Sequence, residues 1–192
     1  MNGLFLRESS RGIESIQAES LLLKERKLFF TEEVNAESCN KLIQYLLCLE
    51  SENADEEIVL YINTPGGEVA SGLAVYDTMR LLSCPIRTVC MGLAASMGSI
   101  FFLAGDQREM LPHTKIMIHD PMIMGISGSR KALELEKEVD RLLELRETIG
   151  GIIAERSGRS LEEILEKTKE DTFLTAKEAL DFGIATSIVD RV

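Results

Sequence analysis

The stretch Ile58-Val59-Leu60-Tyr61-Ile62-Asn63-Thr64-Pro65-Gly66-Gly67 decides the fold. Its first five residues form a continuous apolar run of strand length, the pattern of a strand buried on both faces. The chain then turns: Pro65 fixes φ, and the two glycines permit conformations and close approaches that other residues cannot make. A helix from roughly Val69 to Leu82 follows and stops before Cys84-Pro85. Ile86 to Met91 reads as a second buried strand and the region of Ser96 as a further helix. This alternation predicts an α/β fold with a largely parallel sheet. In such sheets sites form beyond the carboxyl ends of strands, where both Gly66-Gly67 and Ser96 stand.

Upstream, Leu28-Phe29-Phe30-Thr31 is strand-like, and Asn35 is a plausible N-cap for a helix to about Leu49. Residues 1 to about 27 show only a short amphipathic piece near Ile16 to Leu23, so a mobile start is expected. Downstream, strand candidates at Arg108 to Leu111 and Lys115 to His119 flank Pro112, and Asp120-Pro121 ends the second. After a Met, Ile, Gly and Ser segment from Met122 to Ser129, apolar residues recur at i, i+3, i+4 to about Arg156. A helix that long, on the order of 40 Å, exceeds what a domain of this size covers. Part of its stripe is therefore expected to pack on another subunit. Gly150-Gly151 leaves a bend, or two helices in series, open. Ser160-Leu161-Glu162-Glu163 and Thr175-Ala176-Lys177-Glu178 read as capping boxes, Gly183 closes the last helix, and Ile188-Val189 is a final short strand.

The 192 residues suit one domain. The net charge of −11 argues against nucleic acid and against an anionic membrane, since both bind through Lys and Arg. The apolar run from Met91 to Gly105 falls short of a membrane span and reads as a buried core helix. The N-terminus carries no basic leader and only a four-residue apolar patch, so no export is expected. Cys39, Cys48, Cys84 and Cys90 form no C-x-x-C pair and sit among apolar residues. They read as reduced core cysteines of a cytosolic protein, with metal ligation disfavoured.

Ser96 is the conspicuous hydroxyl of that apolar run. Its setting, Ala94-Ala95-Ser96-Met97-Gly98, is a loosened nucleophile elbow, in which small neighbours permit a sharp strand-to-helix turn and leave Oγ accessible. A small serine tolerated in a buried helix is the plain alternative. A serine nucleophile needs a base, normally a histidine oriented by a carboxylate. Of the two histidines, His113 beside Pro112 suits a turn or surface role, whereas His119 ends an apolar strand, where its side chain reaches the sheet edge. For the third member Asp171 is attractive, standing outside the helices next to Phe173-Leu174, and Asp120 competes by proximity. Oxyanion donors would come from the amides of Gly67 and Met97. No P-loop Lys-Ser/Thr follows the glycines, which disfavours a phosphate cradle.

Four motifs then carry a resemblance: Tyr61 to Gly67, Gly92 to Gly98, Met117-Ile118-His119-Asp120-Pro121, and Asp171 to Ala176 with Glu178-Ala179 and Gly183-Ile184. In this order they resemble the proteolytic subunits of the Clp protease, the ClpP family, over about Ser10 to Val189. The resemblance implies a triad of Ser96, His119 and Asp171, with Gly67 and Met97 as oxyanion donors. It implies a crotonase-like α/β subunit spanning residues 1–192 as one domain, with an axial segment over about 1–20. A handle region over about 122–156, carrying the long protruding helix, would interlock two stacked heptameric rings. An AAA+ unfoldase would feed polypeptides into that tetradecamer. ATP would belong to the unfoldase, and this cytoplasmic chain would need no cofactor.

Some residues depart from the pattern. Asp120-Pro121-Met122-Ile123-Met124 stands where the family has Gln-Pro and then a Gly-Gly pair. Lys169-Glu170 reverses the charge order of the acidic residue and Arg that pair across rings. Tyr61, Met91 and Leu111 resemble the apical groove that docks the unfoldase, but Val59 and Glu109 replace aromatic side chains, and a buried carboxylate in an apolar groove is costly. These departures suggest a divergent paralogue with weakened docking that works beside a second, more typical subunit. Three readings follow: a ring-forming serine peptidase; a structural or regulatory ring subunit inactive by itself; and a crotonase-like acyl-CoA enzyme using the Gly67 and Met97 donors without a nucleophile.

Overall fold

The computed structural model describes residues 4–9, 12–122 and 131–190. Nine strands and seven helices alternate along these residues: β1 Leu4–Ser9, β2 Gly12–Gln17, α1 Ala18–Lys24, β3 Lys27–Phe30, α2 Ala36–Glu52, β4 Ile58–Thr64, α3 Val69–Leu81, β5 Ile86–Ala95, α4 Met97–Ala104, β6 Gln107–Met110, β7 Lys115–Ile118, α5 Ala132–Ser157, α6 Leu161–Lys167, β8 Thr172–Thr175, α7 Ala176–Phe182 and β9 Ser187–Ile188. β1 and β2 pair antiparallel with each other as a separate hairpin. The predicted segment from Met122 to Ser129, with Ile123 and Met124, lies outside the described residues except for Met122.

The seven-stranded sheet runs β3-β4-β5-β6-β9, every neighbouring pair parallel. β7 adds in parallel to the far end of β5, and β8 closes on β7 antiparallel. The fold is therefore α/β with a mostly parallel sheet. On β4, alternate residues divide as the pleat requires. Ile58, Leu60 and Ile62 enter the main core with Phe101, Phe102, Leu46 and Ile100. Val59 and Tyr61 face the other side with Val89 and Met91, where Phe29 stacks on Tyr61 at 4.7 Å between ring centroids. The continuous apolar run thus belongs to a strand covered on both faces.

β5 corrects the reading of Met91–Gly105 as one buried helix. The strand continues to Ala95, and only Met97–Ala104 is helical. Leu93, Ala94 and Ala95 pair with Lys115, Ile116 and Met117, so sheet hydrogen bonds from a distant segment override the local signal. α4 is buried along its whole length, from Met97 to Ala104.

Cys39, Cys84 and Cys90 are buried, and burial raises each thiol above its ordinary pKa. Cys48 is exposed instead, as is Leu47, because α2 turns its Cys39, Leu42, Leu46 and Leu49 stripe inward and these two outward. At Ser160 the side chain accepts from Glu163 N–H without a reciprocal bond, whereas Thr175 and Glu178 complete their capping box.

The buried Arg108 ties helix ends together. Its guanidinium donates to the carbonyls of Ile184 (2.7 Å), Gly183 (3.3 Å) and Arg156 (3.2 Å). Arg156 in turn donates to Leu103 O and Gly105 O at 2.8 and 2.7 Å. These are carbonyls at or just beyond the C-termini of α4, α5 and α7, which lack partners within their own helices.

α5 is a single helix of 26 residues, so Gly150-Gly151 neither breaks it nor divides it. Its buried residues are Ile149, Gly150 and Ile153, while Leu133, Val139 and Leu143 on the preceding turns remain more than half or about half exposed at 71%, 50% and 53%. A Cβ on Gly151 would meet nothing within 4 Å. Gly151→Ala is therefore expected to stabilise the subunit by about 0.5–1 kcal/mol, since glycine loses more backbone entropy in a helix than alanine. A thermal melt that fails to rise would contradict this.

Candidate active site

Ser96 stands between β5 and α4 with φ 52° and ψ −122°, one of two non-glycine residues with positive φ among the described residues. Such a conformation is costly, of order 1–3 kcal/mol, and persists only where surrounding structure fixes it. Here the Ser96 amide donates to Met117 O at 2.9 Å, and its carbonyl accepts from Ser99 N–H (2.9 Å) and Ser99 Oγ (2.7 Å). The result is a strand-to-helix elbow that lifts Oγ out of the sheet at the N-terminus of α4. Peptide dipoles there favour a developing negative charge.

His119 follows β7 directly. Its Nε2 lies 2.9 Å from Ser96 Oγ, within hydrogen-bond reach. Its Nδ1 faces Asp171 Oδ1 at 3.3 Å. The antiparallel register explains that second approach. Ile118 pairs with Thr172, so the next opposed positions beyond the strands are His119 and Asp171. His119 is mostly buried, with 13% of its side chain exposed, whereas Asp171 is 60% exposed. With the proton on Nδ1 toward Asp171, Nε2 is free to accept the serine proton.

Gly66 packs against the elbow: with φ 93°, its hypothetical Cβ would fall 2.6 Å from Ala95 O and from Ser96 Cβ and 3.1 Å from Met97 N. The Gly-Gly turn is itself pinned, with Val34 N–H donating to Gly66 O and Glu68 N–H to Val34 O, each at 2.8 Å. Gly67 lies between those bonds, and Met97 N–H opens α4, where no carbonyl of the same helix can accept it. Met97 N–H thus adjoins Ser96 along the chain, and the Gly66-Gly67 turn packs against the elbow through Gly66.

Asp120, the competing carboxylate, is directed elsewhere. Its Oδ2 accepts from Arg146 Nε at 2.6 Å and its Oδ1 from Thr168 Oγ at 2.5 Å. A family model described as Clp protease matches residues 10–192. The chain belongs to the Clp protease family. Clp protease membership supports the coarse reading of a peptidase subunit, and the α/β architecture with its mostly parallel sheet agrees with that family's fold.

Sequence reasoning missed how Glu109 is accommodated. Rather than an unpaired carboxylate in an apolar groove, it accepts from Arg87 Nη1 at 3.2 Å, and Arg87 Nε donates to Glu57 at 3.0 Å. Burial works to lower the Arg87 pKa, but the hydrogen bonds to Glu57 and then Glu109 outweigh it and raise the net value. Arg87 stands opposite Gln107 and Val89 opposite Glu109 in the parallel β5–β6 register, so Arg87 and Glu109 meet as diagonal neighbours two positions apart on one face of the sheet. Only the strand alignment could have revealed it.

Proposed function

We propose that this chain is a serine endopeptidase subunit, with Ser96 the nucleophile, His119 the general base and then acid, Asp171 the orienting carboxylate, and the amides of Gly67 and Met97 the oxyanion donors. The observation that carries this reading is the 2.9 Å contact of Ser96 Oγ with a histidine whose other nitrogen faces a carboxylate. Ser96 attacks the scissile carbonyl as His119 takes its proton. The oxyanion sits at the positive end of α4, and His119 returns the proton to the leaving amine. Water then releases the acyl group by the same transfer in reverse order. The 3.3 Å separation from Asp171 is slightly long for a hydrogen bond and shortens as His119 becomes positive.

The working enzyme is a pair of stacked heptameric rings, homomeric or mixed with a paralogous subunit, fed with unfolded polypeptide by an AAA+ unfoldase that alone uses ATP. The exposed apolar residues of α5 support the ring-to-ring contact. A cytoplasmic location accords with the three buried, unpaired thiols. Among the described residues no helix is long and apolar enough to cross a membrane. Intact-mass measurement after a fluorophosphonate probe tests the chemistry: one adduct is expected on Ser96 and none on Ser96→Ala. Native mass spectrometry of the same sample reads the rings. Absence of the adduct in assembled rings would sink the peptidase reading.

Beside Ser96 a small cavity is walled by Val69, Ile100, Ile118, Ile149 and Ile153. At about 20 Å³ it has room for no more than a small apolar side chain on the acyl side of the cut bond. Ile149→Ala is expected to widen it and raise relative kcat/KM for phenylalanine over alanine at that position by roughly tenfold. The same change costs about 2–4 kcal/mol of stability. Competition between two fluorogenic peptides reads the first effect, and an unchanged ratio would place the specificity pocket elsewhere.

A further inference from the structure

Asp171 raises a question of positioning. Its carboxylate is 60% exposed, and the ion pair the structure shows for it is the one with His119. Its place must therefore come largely from the backbone that carries it, the short connection from Thr168 to Asp171 between α6 and β8. That connection is tied at both ends. Thr172 Oγ donates to Lys167 O at 2.8 Å, and Asp120 N–H donates to Thr168 O at 2.7 Å.

The Asp120 side chain doubles the second tie. Oδ1 accepts from the buried Thr168 hydroxyl, while Oδ2 accepts from Arg146 Nε. Arg146 comes from α5, and its Nη2 donates to Leu165 O, near the C-terminus of α6, at 2.6 Å. One guanidinium thus joins three elements: α5, the end of β7 and the end of α6. Both charged side chains are only about a quarter exposed, at 26% for Asp120 and 24% for Arg146. At that depth charge-assisted bonds are stronger than on the open surface, and loss of one partner leaves the other poorly solvated.

The residue before Asp120 is His119, and three residues after Thr168 comes Asp171. We infer that Asp120, held by Arg146, is a positioning residue that fixes the separation of His119 from Asp171, without itself touching substrate. The inference rests on the peptidase reading, because it concerns the alignment of that triad. The same contacts explain why Asp120 does not serve as the third member of the triad itself.

The test compares Asp120→Asn, Arg146→Gln, the double variant and Arg146→Lys, each as the full chain in assembled rings. Active sites are counted by fluorophosphonate titration, and turnover of a fluorogenic peptide is expressed per titrated site. Both single variants are expected to lose roughly 10- to 100-fold in kcat with KM little changed, the size of effect that follows a misplaced catalytic group. The double variant is expected to be no worse than the poorer single one, because both remove one linkage. Arg146→Lys, which keeps a cation, retains most of the rate.

A fall confined to the titrated fraction or the melting temperature, with kcat per site intact, would reduce the pair to a structural role and overturn the inference. So would independent, multiplying effects of the two substitutions. A crystal structure of Asp120→Asn separates this inference from the peptidase reading. There the His119–Asp171 separation is expected to exceed about 4 Å, the outer limit of an ion pair, even if the wild-type rings take no probe. Retention of the wild-type separation would overturn the positioning role regardless of activity.

Discussion

Ser96→Ala is expected to lower peptide hydrolysis by on the order of 10⁵- to 10⁶-fold, because removing the nucleophile disables every later step that His119 and Asp171 assist. In free energy this is about 7–8 kcal/mol of lost transition-state stabilisation. The proposed oxyanion donors are untouched by this change, so a residue of catalysis over the uncatalysed reaction is expected and the activity should not fall to that of water. The fold should be untouched. Ser96 Oγ contacts His119 Nε2, while the elbow is held by backbone bonds to Met117 and Ser99 that alanine keeps. The measurement is kcat/KM on a fluorogenic peptide, alongside a thermal melt that should not move by more than a few degrees. Activity above about 1% of wild type with an intact fold would remove Ser96 from the mechanism. His119→Ala tests the same unit and should cost nearly as much, and the double variant little more.

Much of the fold was legible because its signals are local. The apolar run Ile58–Ile62, the Gly66-Gly67 turn and the Asn35 cap each state their own conformation within a few residues, and each lies in the expected element. The site was legible only as a set of candidates. Ser96 declared itself by its small neighbours and His119 by ending a strand, but Asp171, outside the helices beside Phe173-Leu174, and Asp120, adjacent to His119, both stayed open on local grounds. The distinction comes from a β-sheet register: Ile118 opposite Thr172 sets His119 opposite Asp171. Register is a property of two strands far apart in sequence, so no window of residues contains it.

The misreadings have the same origin. Gly92-Leu93-Ala94-Ala95 has no strong preference of its own and becomes strand because β7 offers it a partner. Glu109 looked like a buried charge without compensation until β5 brought Arg87 alongside. The charges of Asp120 and Arg146, read singly along the chain, gave no sign of the linkage they form across β7 and α5.

Gly66→Ala is expected to be the most damaging single-methyl change at the site. The added Cβ would lie 2.6 Å from both Ala95 O and Ser96 Cβ, distances at which neighbouring atoms must move, and two of its three nearest neighbours are backbone. Its φ of 93° adds strain that an L-residue does not relieve, of order 1–2 kcal/mol. The turn cannot retreat easily, because Gly66 O is held by Val34 N–H and Glu68 N–H by Val34 O. The displacement therefore falls on the elbow, where Ser96 already occupies a costly conformation and Met97 N lies 3.1 Å from the added Cβ. A shift of about 1 Å there costs roughly 100-fold in rate.

The expected result is a folded subunit, less stable by about 2–3 kcal/mol, whose fluorophosphonate labelling is slowed at least about 100-fold. Gly67→Ala provides the contrast. Its Cβ would fall 2.2 Å from Val34 O, and its three nearest atoms all belong to the Val34 backbone, so its damage should appear first in stability. If Gly66→Ala labels as fast as wild type, the turn does not buttress the nucleophile, and the positive φ of Ser96 must be maintained by the bonds to Met117 and Ser99 alone.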